Sequence, residues 1–161
     1  MEHVGPELLT RLLDEHGARL VLYAQQWTTA PEDVVQDAFI QLVAQRPAPG
    51  DAAAWLYRTV RNGAISATRS SSRRSRHELA AAERRPAWFA AAEGEGLDAA
   101  AASEALEGLP IELRETLVLR LWSDLSFEEI AKLTETSTST AHRRYAQGLT
   151  ELRARLGVRQ T

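Results

Sequence analysis

Residues 125–156 read LSFEEIAKLTETSTSTAHRRYAQGLTELRARL. Ser126 and Glu129 have the S-x-x-E spacing in which a hydroxyl and a carboxylate satisfy each other's backbone N–H, so a helix is predicted to start here. Phe127, Ile130, Ala131 and Leu133 form its inward side, and the small Ala131 permits a close crossing. Thr134, Glu135 and Thr136 make a turn, and Ser137 is a good N-cap for the next helix. There Ala141, Tyr145, Leu149 and Leu152 step by 4, 4 and 3, one inward face. Thr138, Ser139, His142, Arg143 and Arg144 remain on or beside the outer face near the helix start. This is a helix-turn-helix pattern. Its second helix carries the hydroxyl and guanidinium groups that meet base edges and phosphates in a major groove. Glu135 stands where such turns often hold glycine, at a small backbone cost if its φ is positive.

Upstream lies LPIELRETLVLRLW, residues 109–122, with Leu113, Leu117 and Leu121 at steps of four, after a short helix ending at Gly108. Residues 77–103 are Ala-rich and low in complexity, with GEG at 94–96, and read as a linker. Trp88 and Phe89 are its large apolar residues, expected as a local docking point. A helix is predicted over about 51–70, with Leu56, Val60, Gly63 and Ala67 on one face. Its other face carries Trp55, Arg58, Asn62, Ile65 and Arg69, and a solvated face seldom needs a tryptophan.

The clearest helix of the N-terminal half is TTAPEDVVQDAFIQLVAQRP, residues 28–47. Pro31 suits its first position, and Glu32 and Asp33 suit the positive end of its dipole. Val34, Val35, Ala38, Phe39, Leu42 and Val43 form an apolar stripe, while Asp33, Gln36, Asp37 and Ile40 look outward. Before it, Leu8, Leu9, Leu12 and Leu13 mark one helix, and residues 18–27 a second short one.

Ala, Leu, Arg and Glu dominate, and no run alternates as a strand would, so the chain is read as all-α. Its 161 residues make one domain or two small ones. The net charge of −3 conceals its distribution: −5 over residues 1–57, +6 over 58–85, −5 over 86–107 and +1 over 108–161. A basic middle between acidic stretches implies two kinds of partner, phosphates for one and a basic protein surface for the other. Of the 19 basic residues 18 are Arg, whose planar fork suits bidentate phosphate contacts.

Much is excluded. The absence of Cys rules out disulfides, thiol nucleophiles and Cys-ligated metals. The polar, acidic N-terminus does not read as a signal peptide, and no apolar run approaches a membrane span. The four His residues are scattered without metal-ligand spacing, and no glycine-rich phosphate loop follows a strand. No catalytic residue, cofactor or metal is expected.

In their order along the chain, these motifs resemble the extracytoplasmic-function (ECF, group IV) sigma factors of bacterial RNA polymerase. PEDVVQDAFIQL with AWLYRTVRNGAISATRS resembles sigma domain 2, and LPIELRETLVLRLWSDLSFEEIAKL with STAHRRYAQGLTELR resembles sigma domain 4. The resemblance implies a domain 2 bundle over residues 1–76, an acidic Ala-rich linker over 77–103 and a domain 4 helix-turn-helix over 104–161. It implies a cytoplasmic, non-enzymatic subunit that binds core polymerase and directs promoter recognition and transcription initiation. The partners it implies are the core, through the β′ coiled coil and the β flap, and promoter DNA. An anti-sigma factor is a further partner that such factors can have. Asp33, Gln36, Asp37 and Ile40 match the family's β′-docking surface. Trp55, Arg58, Thr59, Arg61 and Asn62, with Arg69, Arg73 and Arg74 beyond them, match the helix that engages and opens the −10 element. There Trp55 or Tyr57 is expected to stack on an unpaired base. The loop from Arg46 to Asp51 matches the pocket loop for a flipped base. Thr138, Ser139, His142, Arg143 and Arg144 match the −35 reader, with His142 where the family often has Lys or Arg. The acidic residues 86–107 match the segment threaded toward the RNA exit path.

Two other readings stay open: an ordinary helix-turn-helix regulator with an unrelated helical N-terminal domain, and a helical protein–protein adaptor or degenerate sigma-like regulator that binds polymerase without opening promoters. Residues 31–69 separate a sigma factor from the regulator, because a regulator needs no exposed DxxQD face followed by an Arg/Trp helix.

Overall fold

Pro6 and Pro31 each open a helix, at a position whose missing N–H would have had no intrahelical acceptor. In this computed structural model the described residues are 3–71 and 99–157, and among them every regular element is helical. In order these are α1 (Pro6–Ala24), α2 (Pro31–Ala44), α3 (Ala52–Ser71), α4 (Ala99–Glu107), α5 (Ile111–Leu121), α6 (Phe127–Thr134) and α7 (Thr138–Leu156). The chain divides into two units between Glu83 and Arg84. Among the described residues no helix is long and apolar enough to cross a membrane.

In the first unit α1, α2 and α3 pack pairwise against one another. Leu12, Leu20, Val35, Phe39, Leu42, Leu56 and Val60 are buried between them. Each large apolar side chain so withdrawn from water contributes about 1.5–3 kcal/mol. Gly63 lets α3 approach α2 closely, since a Cβ there would stand 3.2 Å from Val34 Cγ1. Asp51 Oδ1 accepts the Ala54 N–H at 3.0 Å and so caps the start of α3.

Expectations about helix bounds and faces change in this unit. The two short helices expected in residues 6–27 are one helix, α1, which runs through Gly17 and ends at Ala24. Trp27 lies in the turn beyond it, its ring edge-on to Tyr23 at 5.1 Å. Leu13 and Val43, expected on inward stripes, are 46% and 42% exposed. Both line the open groove between α1 and α2, a flank of the stripes that no other helix covers.

In the second unit α4, α5 and α6 pack on α7. α5 buries Leu113, Glu115, Thr116, Leu117, Val118 and Leu119, so it is enclosed on nearly every side. Leu121, expected to continue the Leu113–Leu117 row, is instead 46% exposed, because the helix ends there and Val118 and Leu119 take its place in the core. Gly148 of α7 lies against Leu117, where a Cβ would meet Leu117 Cγ at 3.1 Å. Residues 99–103, read as the end of the linker, form the start of α4. Trp88 and Phe89, and most of the acidic stretch, lie outside the described residues.

Candidate functional site

On α2, Asp33, Gln36, Asp37 and Ile40 are all exposed, Ile40 at 61%. The sequence placed them on a single face; the structure makes that face a ridge between two grooves. Asp33 and Asp37 line a groove of about 390 Å³ against α3, with Thr28, Thr59, Gly63 and Ser66 on its other walls. Gln36 and Ile40 line an almost wholly apolar groove of about 470 Å³ against α1, with Leu13, Phe39 and Val43. Carboxylates on one flank and aliphatic carbon on the other give the ridge a polar and an apolar side. Leu13 and Val43 belong to this surface, and their aliphatic character had pointed to the core instead.

On α3, Arg58, Asn62 and Arg69 are exposed and Trp55 is half-buried, all on the side away from the bundle. Thr59 sits on the flank facing α2, where it lines the acidic groove. Arg61 sits on the opposite flank, its guanidinium 5.9 Å from the centre of the Trp27 ring, in cation–π range. Thr68 Oγ1 donates to the Trp27 carbonyl, which fixes the turn that carries this indole. Tyr57 does not belong to the outer face. It is 1% exposed, with its hydroxyl 3.3 Å from His16 Nδ1, so it has no open ring for a base. That leaves Trp55 as the aromatic on this face. Arg73 and Arg74 lie outside the described residues.

The helix-turn-helix forms as its local chemistry dictates. Ser126 Oγ accepts the Glu129 N–H at 3.1 Å, and Glu129 Oε1 accepts the Ser126 N–H at 2.9 Å. α6 ends with Glu135 left-handed, φ 58 and ψ 45. The Thr136 N–H then reaches back to Ala131 O at 2.9 Å, and that of Glu135 to Lys132 O at 3.4 Å, a Schellman closure. Ser137 Oγ accepts the Thr140 N–H at 3.1 Å and starts α7. Ala141 and Gly148 are buried, whereas Tyr145, Leu149 and Leu152 are half-buried.

Ser139 and Arg143 lie on the outer face of α7. Thr138 and His142 are exposed on the flank toward α6, where the His142 ring lies 3.9 Å from that of Phe127. Arg144, half-buried, takes the opposite flank. Of the five expected contacts, two therefore lie on the outer face and three on its flanks. Among the described residues no group of His, Asp and Glu could hold a metal ion.

Two family descriptions match these two units: Sigma-70 region 2 over residues 12–74, and Sigma-70 region 4 over residues 99–152. The chain belongs to the sigma-70 family. The two regions lie in this order with only residues 75–98 between them, and the chain is a sigma factor of the ECF type, a transcription initiation factor. The region 2 match removes the unrelated N-terminal domain that a simple regulator would carry. No curated protein matches the chain. Its fold is similar to that of the sigma factor RpoE from Bartonella quintana, solved with the anti-sigma factor NepR. There the TM-score is 0.75 at 23% identity, over 97% of this chain and all (100%) of that one. It is also similar to CnrH, solved with the cytosolic domain of CnrY, with a TM-score of 0.64 at 24% identity over 97% of this chain and 92% of that one. At these identities the likeness is one of fold. The α2 ridge and the outer face of α3 thus fall in region 2, and the helix-turn-helix in region 4.

Proposed function

We propose that the α2 ridge is the surface by which this sigma factor docks on core polymerase, at the β′ coiled coil. Asp33 and Asp37 supply charge to one side of the partner, and Ile40 with Gln36 supplies apolar and amide contact to the other. We infer that the outer face of α3 handles the −10 element. Arg58 and Arg69 hold phosphates, Asn62 meets a base edge, and Trp55 stacks on a base drawn from the duplex, a contact worth about 1–3 kcal/mol. Arg73 and Arg74 are expected to extend the phosphate track. Arg61 on Trp27 and Thr59 in the α2 groove stand at its margins. In region 4, Ser139 and Arg143 face the −35 duplex, with Thr138, His142 and Arg144 at their sides and the β flap as the polymerase contact.

The observation that carries this reading is the separation of surfaces within region 2. An acidic–apolar ridge and an Arg/Trp face lie on adjacent helices and point to different partners. The chain works in the cytoplasm on this reading. An anti-sigma factor, the partner type named for the RpoE structure, is a further proposed partner that would compete with core for the ridge.

Run-off transcription with purified core polymerase tests the proposal. Added chain should start transcripts at discrete promoters. Asp33→Arg with Asp37→Arg should abolish association with core while the helical spectrum is kept; unchanged affinity would refute the docking surface. Arg143→Ala and Arg144→Ala should each weaken binding to a −35 duplex and reduce its salt slope, because each removes a cation that displaces counterions. If affinity and slope both stay put, α7 is not the reader.

A further inference from the structure

A single phenyl ring organises the flank of α7 that carries His142. Phe127, the first residue of α6, is half-buried. The His142 ring lies against it with centroids 3.9 Å apart and planes inclined by 31°. Tyr145 meets the same ring edge-on at 5.3 Å. From α5, the Arg120 guanidinium sits 5.0 Å over it, while its Nη1 donates to the Leu125 carbonyl at 3.2 Å. That hydrogen bond ties the chain entering α6 to α5, so Arg120 holds both the loop and the ring.

We propose that Phe127, braced by Arg120, is a platform that sets the His142 imidazole before DNA arrives. This makes Phe127 and Arg120 positioning residues for the −35 contact. The proposal rests on the reading of α7 as the DNA-contacting helix. An exposed side chain that samples several rotamers must be frozen on binding, and one already held loses less freedom. A stacked imidazole uses its face for the hold. Its two nitrogens, which lie in the ring plane, stay open to a base edge or phosphate. An aliphatic side chain at position 127 fills similar space but offers no π face to the imidazole or the guanidinium.

The test uses the full-length chain and a fluorescently labelled duplex, the tightest binder recovered from a randomised pool. Anisotropy titrations compare wild type, Phe127→Leu, His142→Ala and the double variant. Phe127→Leu should weaken binding about three- to tenfold, the range expected for releasing one held side chain. Its salt slope should not change, because no phosphate contact is removed. In the His142→Ala background the same substitution should cost about twofold at most. Equal losses in both backgrounds, or none in either, overturn the proposal. Phe127→Tyr keeps the ring and should restore the affinity that Phe127→Leu loses; failure to do so also overturns it. If Phe127→Leu does not fold, Arg120→Met replaces it in the same cycle, and a reduced salt slope there would mean that Arg120 touches phosphate directly. Arg143→Ala is run alongside. If it too leaves affinity unchanged, the fault lies in the DNA-contacting role of α7; if it weakens binding and the cycle shows no coupling, only the platform fails.

Discussion

Glu135 carries a Cβ through a left-handed backbone position, φ 58 and ψ 45, at the end of α6. For an L-residue that conformation costs about 1–2 kcal/mol, because Cβ crowds the following carbonyl. Glycine escapes the crowding but gives up about 0.5–1 kcal/mol of chain entropy on folding. Glu135→Gly should therefore stabilise the region 4 unit by about 0.5–1 kcal/mol. In a unit of this size that raises Tm by about 2–8 °C. Glu135→Ala keeps the Cβ and should leave Tm nearly where it is. The two closing hydrogen bonds, from the N–H groups of Thr136 and Glu135 to Ala131 and Lys132, use only backbone atoms and survive either change. Scanning calorimetry on the full-length chain reads the effect. The transition of the second unit is identified by adding Leu117→Ala, which displaces it downward. A Glu135→Gly variant that melts at or below wild type would refute the argument. So would an equal rise with alanine, since the gain would then come from losing the carboxylate.

Leu117→Ala itself empties a fully buried site packed against Gly148 and should destabilise region 4 by about 2–5 kcal/mol in denaturant titrations. Ser137→Ala removes the oxygen that accepts the Thr140 N–H at 3.1 Å, and should cost about 1 kcal/mol in the same measurement. Burial first, and then the charge of Arg19, hold the His16 imidazole below its ordinary 6.5, against the opposing pull of Glu15 and Asp51. The unfolded chain then binds a proton that the folded unit resists. The His16 contribution should be intact above about pH 6.5 and decline as pH falls below it toward the lowered folded-state value. His16→Gln should flatten that decline in urea titrations at stepped pH; an unchanged profile would clear His16 of the effect.

The helix-turn-helix was legible because its signals are local. Ser126 and Glu129 satisfy each other three residues apart, Ser137 caps its own helix, and the strain at Glu135 follows from a turn that needs a left-handed residue. The outward residues of α2 were legible for a similar reason: a carboxylate on an amphipathic helix has little reason to face the core. What went unread depended on neighbours. Gly17 and the residues after it gave no sign that α1 continues without a break. Nothing local distinguished Tyr57, buried against His16, from Trp55 two positions earlier. Leu13, Val43 and Leu121 look like core residues until the edge of the packed surface is known.

Sequence alone determined that the chain is read as helical, that it carries two functional segments in this order, and which residues start α2, α6 and α7 and lie on the polar face of α2. These follow from hydrogen-bond capping and from a period of 3.6 residues, both of which act within a few turns. Tertiary packing alone decided that the α2 ridge has an acidic flank and an apolar flank, that Arg61 lies on Trp27, and that the His142 ring and the Arg120 guanidinium both lie against Phe127. Each of these depends on where a second helix comes to rest, and that is set by the summed burial of many side chains rather than by any one stretch of sequence.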